Sequence, residues 1–419
     1  MRTINRTGPL DAEVPVPGSK SITQRALMAA ALARGTSVIE NPLISEDTVI
    51  LTEALRLLGV DVVNDGRNFV VTGRGPNIEN PGEALFLGNN GTALRFLITM
   101  VCLGRGTFVL DGNRRLRERP IQPLTAALET LGVACCGTAS LPVVIEGAGI
   151  LPGGTVRFKD LDSSQYVSSI LLAAPYASRD MEIQLRGSSV SLPYIDMTID
   201  VMNRFGVTVR REGASRYTVP VPQRYHPGTY ATEGDVSSAS YFLLAGMLTG
   251  GRVRVTNLNP RGIQGDRGFF AILQTLGADL TEGDTWIEIT GKALKEGTFR
   301  FDMKDMPDLV PTLAVLAAYR PGTTVIDNVS HLRKKESDRI RALCNELTRI
   351  GIDAKERADG LIIQGGRPQG AEIETYDDHR IAMSFAVAGL VTGGIHIQNE
   401  ACVAKSFPGF WNELEKLAR

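Results

Sequence analysis

Two phrases recur along this chain at a nearly fixed interval, and that interval restricts the fold more than any other feature. ALRLLGVDV, turning at Gly59, returns as ALETLGVAC at Gly132, VMNRFGVTV at Gly206, ILQTLGADL at Gly277 and ELTRIGIDA at Gly351. By subtraction, successive glycines lie 73, 74, 71 and 74 residues apart. A glycine between a leucine-rich helical pattern and a β-branched run reads as a helix C′ residue, where positive φ is needed. A second phrase keeps the same step, starting at Gly35, Gly106, Asp180, Gly251, Gly322 and Gly394. Each start follows an Ala/Leu/Met-rich run about one helix long. The chain therefore reads as six units of helix, strand, helix, strand, with added hairpin strands such as FVVTG and WIEITG. Three units per domain suit the two domains expected of 419 residues.

Fifteen residues before the six second-phrase starts stand Lys20, Gly91, Gln165, Val236, Pro307 and His379. Each marks the place where a helical pattern begins among polar residues. LGNNGTALRFL, which looks like a phosphate loop but lacks the GK[ST] of a Walker motif, is thus one of six equivalent helix starts. Helix N-termini present unpaired N–H groups and partial positive charge, so several facing one space select anions. Ser163 and Asp378 also read as N-caps, and Asp235 reads best as one. Lys20 and Arg380 oppose the helix dipole in a first turn, which points to a bound anion.

With 45 Lys and Arg against 46 Asp and Glu, the net charge of −1 gives nucleic-acid binding no bulk support. Cations instead cluster locally: Arg114, Arg115, Arg117 and Arg119 in one loop, and Arg333, Lys334, Lys335, Arg339 and Arg341 around Glu336 and Asp338 in another. Lys405 lies in an apolar setting. Arg114, Arg117, Arg333 and Lys334 are expected to be plain solvated charges, while others can be held for bidentate anion contacts. Two carboxylates stand out, and each has a bland alternative: Asp308 as a cap, Glu336 as an ion-pair partner. His379 has no second histidine nearby, and no nucleophile–base signature occurs. The five cysteines, Cys102, Cys135, Cys136, Cys344 and Cys402, lack metal or disulfide spacing. No metal or cofactor is expected. Without an apolar leader or spanning run, the expectation is a soluble cytoplasmic protein, with no membrane or nucleic-acid partner.

The segments PGSKSITQRALMAAALA, LGNNGTALR, RERPI, DSSQY, SLPYIDMT, EGDVSSASYF, PDLVPTLAV, KESDR, YDDHRIAM and AKSFPGF run in order from residue 17 to 410. Together they resemble the 5-enolpyruvylshikimate-3-phosphate synthase family of carboxyvinyl transferases. The resemblance implies an α/β fold of two similar domains, each of three βαβαββ repeats, joined by a double crossover, with the active site in the interdomain cleft. The implied domains are residues 1–18 with 234–419, and residues 19–233. It further implies transfer of the enolpyruvyl group of phosphoenolpyruvate to the 5-hydroxyl of shikimate-3-phosphate, with loss of phosphate from a tetrahedral intermediate, in a monomer that needs no cofactor.

By the same resemblance, Lys20, Ser21, Arg25, Ser163, Ser164, Gln165, Ser191, Tyr194, Asp308, His331 and Lys335 are expected at shikimate-3-phosphate. Lys20, Asn89, Gly91, Arg119, Gln165, Arg339, Arg380 and Lys405 are expected at phosphoenolpyruvate. Asp308 is implied as base toward the hydroxyl, and Glu336 with Lys20 in proton transfer at carbon. Three positions depart from the family pattern: His331 replaces a common asparagine, and Asn90 and Phe96 replace alanine and proline beside the phosphoenolpyruvate loop. Phe96 is expected to shift that helix and alter glyphosate sensitivity, although Gly91 is typical of sensitive enzymes. Two competing readings are a UDP-N-acetylglucosamine enolpyruvyl transferase, whose loop cysteine DGNRRLRERP lacks, and a non-catalytic anion-binding repeat protein.

Overall fold

The computed structural model describes residues 1–417. The chain divides into two compact units, Ser19–Thr232, and Met1–Gly18 together with the chain from Glu233 onward. Five four-stranded sheets share one plan. In each, the second-phrase strand has a parallel neighbour on one side and an antiparallel hairpin on the other. Met181–Ser189, for instance, lies parallel to Gly154–Leu161 and antiparallel to Arg216–Val219, which pairs in turn with Arg210–Glu212. Every expected C′ glycine takes the left-handed conformation, with φ of 87° at Gly59, 94° at Gly132, 85° at Gly206, 111° at Gly277 and 84° at Gly351. Those turns are what bring each helix back to start its hairpin.

Two strands are exchanged. Asp11–Pro15 precedes helix Lys20–Leu32 in sequence but pairs with Arg252–Thr256. Thr229–Ala231 precedes helix Val236–Thr249 but pairs with Arg34–Glu40. The chain thus crosses over twice, as the resemblance implies. Among the described residues the sixth sheet has three strands. Arg2–Ile4 supplies the antiparallel neighbour of Ile395–Ile397, whose parallel neighbour is Glu372–Ile373.

The helices Lys20–Leu32, Gly91–Met100, Ser164–Ala173, Val236–Thr249 and His379–Thr392 begin within one residue of the positions that the repeat assigns. The fifth start differs. Pro311 has no N–H to reach the carbonyl of Pro307, so the first turn, Pro307–Leu309, is 3₁₀ and the α-helix proper is Val310–Tyr319. These helices are buried on nearly every side, and Val236 through Met247 are all buried, which is the pattern of a helix surrounded by protein. Within each unit the three pack on one another. The few polar side chains in their bodies bond mainly to one another, as Thr99 does to Ser169 (2.6 Å) and Ser240 to Thr312 (2.9 Å), and the charged residues gather in and near the first turns. Among the described residues no helix is long and apolar enough to cross a membrane.

Candidate active site in two residue sets

In Ser19–Thr232 the central feature is Arg25, one turn into helix Lys20–Leu32 and 1% exposed. Its guanidinium donates to Thr198 Oγ1 (2.7 Å), the Ser21 carbonyl (2.9 Å), the Tyr194 carbonyl (3.2 Å) and Ser168 Oγ (3.4 Å). Every acceptor is neutral. Burial lowers its pKa to about 10, which leaves it charged at neutral pH. A buried cation without a carboxylate is costly, and the rings of Phe96 and Tyr194, 5.2 and 5.9 Å from its Cζ, compensate only in part. The Tyr194 segment is itself held under strain, since Ser191 sits at φ 59°.

Lys20 forms an ion pair with Asp47 (3.1 Å), a buried carboxylate in the first turn of helix Glu46–Leu57. The anion that the sequence demands beside Lys20 is thus supplied by the protein. Asn90 caps helix Gly91–Met100 by accepting from the N–H groups of Thr92 and Ala93. Its amide also donates to Gln24 Oε1 (3.0 Å) and the Asp47 carbonyl (2.6 Å), tying three helix starts together. Phe96 is buried, with its ring 5.2 Å from the Arg25 Cζ, in the helix that starts at Gly91. Gly91 is a close-approach glycine. A Cβ there would lie 2.5 Å from the Arg119 Cζ and 2.6 Å from Arg95 Nη1. Arg95 is fixed by the carbonyls of Gly91 and Pro120, both at 2.8 Å. Gln165 reaches Thr92 Oγ1 (3.0 Å), and Ser163 caps the helix that bears Ser164 and Gln165. Asn89 and Arg119 are 6% and 5% exposed in the same neighbourhood.

The second set lies in the other unit and is a charge network. Arg339, 1% exposed, donates to Asp308 Oδ1 (2.9 Å), Glu336 Oε2 (2.8 Å) and Asp378 Oδ2 (2.8 Å). Arg380 donates to the other oxygen of Asp308 (2.6 Å) and to the Tyr241 hydroxyl (3.3 Å). Asp378 caps helix His379–Thr392 and accepts from Ser337 Oγ (3.0 Å) as well. Left-handed Tyr376 and Asp377, both at φ 55°, deliver it to that position. Burial alone would raise the Asp308 pKa, but Arg380, Arg339 and Lys335 outweigh it and hold the carboxylate well below the usual range. Burial would likewise lower Arg339, yet Asp378, Glu336 and Asp308 together raise it. His331 is 5% exposed, and neither ring nitrogen has a partner in the protein. Burial, with Lys335 second, lowers its pKa to about 3. Lys405, at the end of the 3₁₀ turn Glu400–Lys405, is also buried.

The structure groups the expected residues by unit: Lys20, Ser21, Arg25, Asn89, Gly91, Arg119, Ser163, Ser164, Gln165, Ser191 and Tyr194 in one, and Asp308, His331, Lys335, Glu336, Arg339, Arg380 and Lys405 in the other. One expectation is corrected. Arg333 is no plain solvated charge, for it bonds Asp338 (3.1 Å), Glu356 (2.9 Å) and the Arg357 carbonyl (2.7 Å). Arg114, by contrast, is 95% exposed. Asp47, Tyr241 and Asp266 were missed, the first two because their partners lie far away in sequence. Asp266 is buried at 6% exposure and accepts from the Ser237 hydroxyl. Among the described residues no group of three His, Cys, Asp or Glu is placed to hold a metal ion.

Fold and residues together define a six-repeat α/β protein whose helix starts concentrate cationic side chains and carboxylates in each unit. The model of the EPSP synthase (3-phosphoshikimate 1-carboxyvinyltransferase) family matches residues 4–414. Relatives named 3-phosphoshikimate 1-carboxyvinyltransferase include one from Syntrophobacter fumaroxidans, 43% identical over 99% of both chains. Another, from Trichormus variabilis, is 41% identical over 98% of this chain and 97% of its own. A solved EPSP synthase structure from Acinetobacter baumannii superposes with a TM-score of 0.82 at 29% identity, covering 99% of this chain and 98% of that one. This chain belongs to the EPSP synthase family and is a transferase of the shikimate pathway.

Proposed function

We propose that the two residue sets serve one reaction, transfer of the carboxyvinyl group of phosphoenolpyruvate to the 5-hydroxyl of shikimate-3-phosphate. The observation that carries this reading is Asp308, with a guanidinium on each carboxylate oxygen. In that state Asp308 is a poor base. A carboxylate or phosphate arriving from phosphoenolpyruvate takes up Arg339 and Arg380, relieves Asp308 of two charge-assisted bonds and raises its basicity. The second substrate thus switches on the group that deprotonates the first. Arg25, with Ser21, Ser163, Ser164, Gln165, Ser191 and Tyr194, takes the anionic groups and ring of shikimate-3-phosphate, and His331 and Lys335 approach its hydroxyl side. Asn89, Gly91, Arg119 and Lys405 complete the phosphoenolpyruvate site, and Lys20 exchanges Asp47 for substrate.

Glu336, with Lys20, protonates the methylene carbon while the 5-hydroxyl attacks C2. The same pair removes a methyl proton as phosphate leaves the tetrahedral intermediate. Fixed cations offset the repulsion between two polyanions and cost no reorganisation at the moment of reaction. The chain acts as a cytoplasmic monomer in this reading, and a solution mass measurement tests the copy number. Phosphate release from phosphoenolpyruvate, dependent on shikimate-3-phosphate and lost in Lys20→Met and Asp308→Ala, is the expected result. Release that depends instead on UDP-N-acetylglucosamine would overturn the acceptor assignment, wild-type activity in Glu336→Ala would remove Glu336 from the proton transfer, and no turnover at all by the wild-type protein would support a non-catalytic anion binder. Glyphosate is expected to compete with phosphoenolpyruvate. Full activity at millimolar glyphosate rejects that expectation.

A further inference from the structure

Behind Asp308 lies a second carboxyl that the proposed chemistry leaves unused. Asp266 sits in the 3₁₀ turn Gly265–Arg267 and is 6% exposed. One oxygen accepts from the Ser237 hydroxyl at the start of helix Val236–Thr249, and the other is buried with no hydrogen-bond partner. No Lys, Arg or His among the described residues forms an ion pair with it. The turn is pinned from both sides of its sequence. Gln264 accepts from the Val236 N–H (3.1 Å) and donates to the Gly234 carbonyl (2.7 Å), while Arg267 holds the Gly262 carbonyl (2.6 Å). The turn therefore holds the side chain in its buried position.

The charged groups facing it are Asp308 from the turn Pro307–Leu309, Arg380 from helix His379–Thr392, and Asp235 at the cap of Val236–Thr249. Two of these three are negative, and the one cation is already engaged by Asp308 at 2.6 Å. A carboxylate in that place would be an unpaired buried charge. We infer that Asp266 is a positioning residue held as the neutral acid, whose ionisation draws Arg380 away from Asp308 and weakens the site for its anionic substrate.

The direction of its titration agrees. Burial first and Asp308 second push its pKa up to about 7, against smaller opposing effects of Ser237 and Arg380. The two neighbouring carboxyls are thus driven apart, one toward permanent charge and the other toward neutrality. An anion bound at Arg380 raises Asp266 further. Binding above pH 7 therefore takes up a proton, and affinity falls as pH rises.

The inference rests on the proposed function for its ligand, phosphoenolpyruvate, but its first test does not. The infrared carbonyl stretch of a protonated carboxyl is expected in the intact protein at pH 6, absent from Asp266→Asn. Calorimetry with phosphoenolpyruvate alone, so that no turnover occurs, in buffers of different ionisation enthalpy, is the second test. Wild-type protein is expected to take up a proton at pH 8.5 and to lose about tenfold in affinity between pH 7 and 8.5. Asp266→Asn, which keeps an oxygen for Ser237, is expected to lose both effects. Asp266→Ala is expected to bind more weakly at every pH, with Asp266→Asn restoring affinity at pH 6. Absence of the infrared band, or a binding profile in Asp266→Asn identical to wild type, overturns the inference. Failure of phosphoenolpyruvate to bind at all, with the band present and titrating near 7, would instead remove the proposed substrate and leave the neutral acid established.

Discussion

Gly91 is a residue defined by what must come near it. The guanidiniums of Arg119 and Arg95 occupy the volume of a Cβ. Arg95 is anchored by two carbonyls, so an added methyl must displace Arg119. Gly91→Ala is expected to raise the KM for phosphoenolpyruvate 10- to 100-fold, about 1.5–3 kcal/mol for one charge-assisted contact, with shikimate-3-phosphate affinity little changed. Steady-state kinetics in both substrates checks the split. His331 yields a prediction about stability. Its folded pKa of about 3 lies below the ordinary 6.5, so the unfolded chain binds the extra proton. Stability from this group is therefore undiminished above pH 6.5 and falls as pH drops from 6.5 toward 3. His331→Asn is expected to lose less melting temperature than wild type between pH 7 and pH 5. Lys20 and Arg380 were legible because a cation in a first turn opposes the helix dipole, whereas Asp308 and Glu336 stood out only beside the alternatives of a cap and an ion-pair partner. Asp47, 27 positions beyond Lys20 by subtraction, was not legible, because an acidic residue in a first turn looks ordinary.

At the scale of elements, the helix starts and C′ glycines were legible because six copies repeat the same local physics. The fifth start departs from α-geometry for a reason visible in the chain, the missing N–H of Pro311. Asn90 was readable only as a departure from a family pattern, whereas the structure makes it a cap and a three-way tie. Asn90→Ala removes the cap and both amide contacts. It is expected to cost about 1–2 kcal/mol, measured by urea unfolding, with the helix boundary unchanged by hydrogen exchange beyond its first turn. If stability is unaffected, the cap carries no weight and alanine is equivalent there. Arg333 shows the opposite failure. A run of charges reads as solvated, yet this member holds two carboxylates and a carbonyl.

For the whole molecule, periodicity revealed how many repeats there are, but not which strand joins which sheet. Asp11–Pro15 and Thr229–Ala231 each stand directly before a helix, and pattern alone would pair each with the strand after that helix. Their exchange is a tertiary choice. The three-stranded sheet depends on the chain's first strand in the same way. Deleting residues 1–9 leaves Glu372–Ile373 and Ile395–Ile397 as a bare pair and removes buried Ile4. Two short strands alone are marginal. The deletion is expected to lower unfolding free energy by at least the 1.5–3 kcal/mol, roughly, of one buried isoleucine, read from the urea midpoint of the unit that contains Asp308. An unchanged midpoint would show the closing strand to be dispensable. The exchange also sets a timetable for synthesis. Ser19–Thr232 is one uninterrupted stretch, complete once its last strand has left the ribosome. The other unit must keep Arg2–Ile4 waiting until Ile395–Ile397 is made, so a strand made before Ser19–Thr232 finds its partner only after that whole unit has been synthesised.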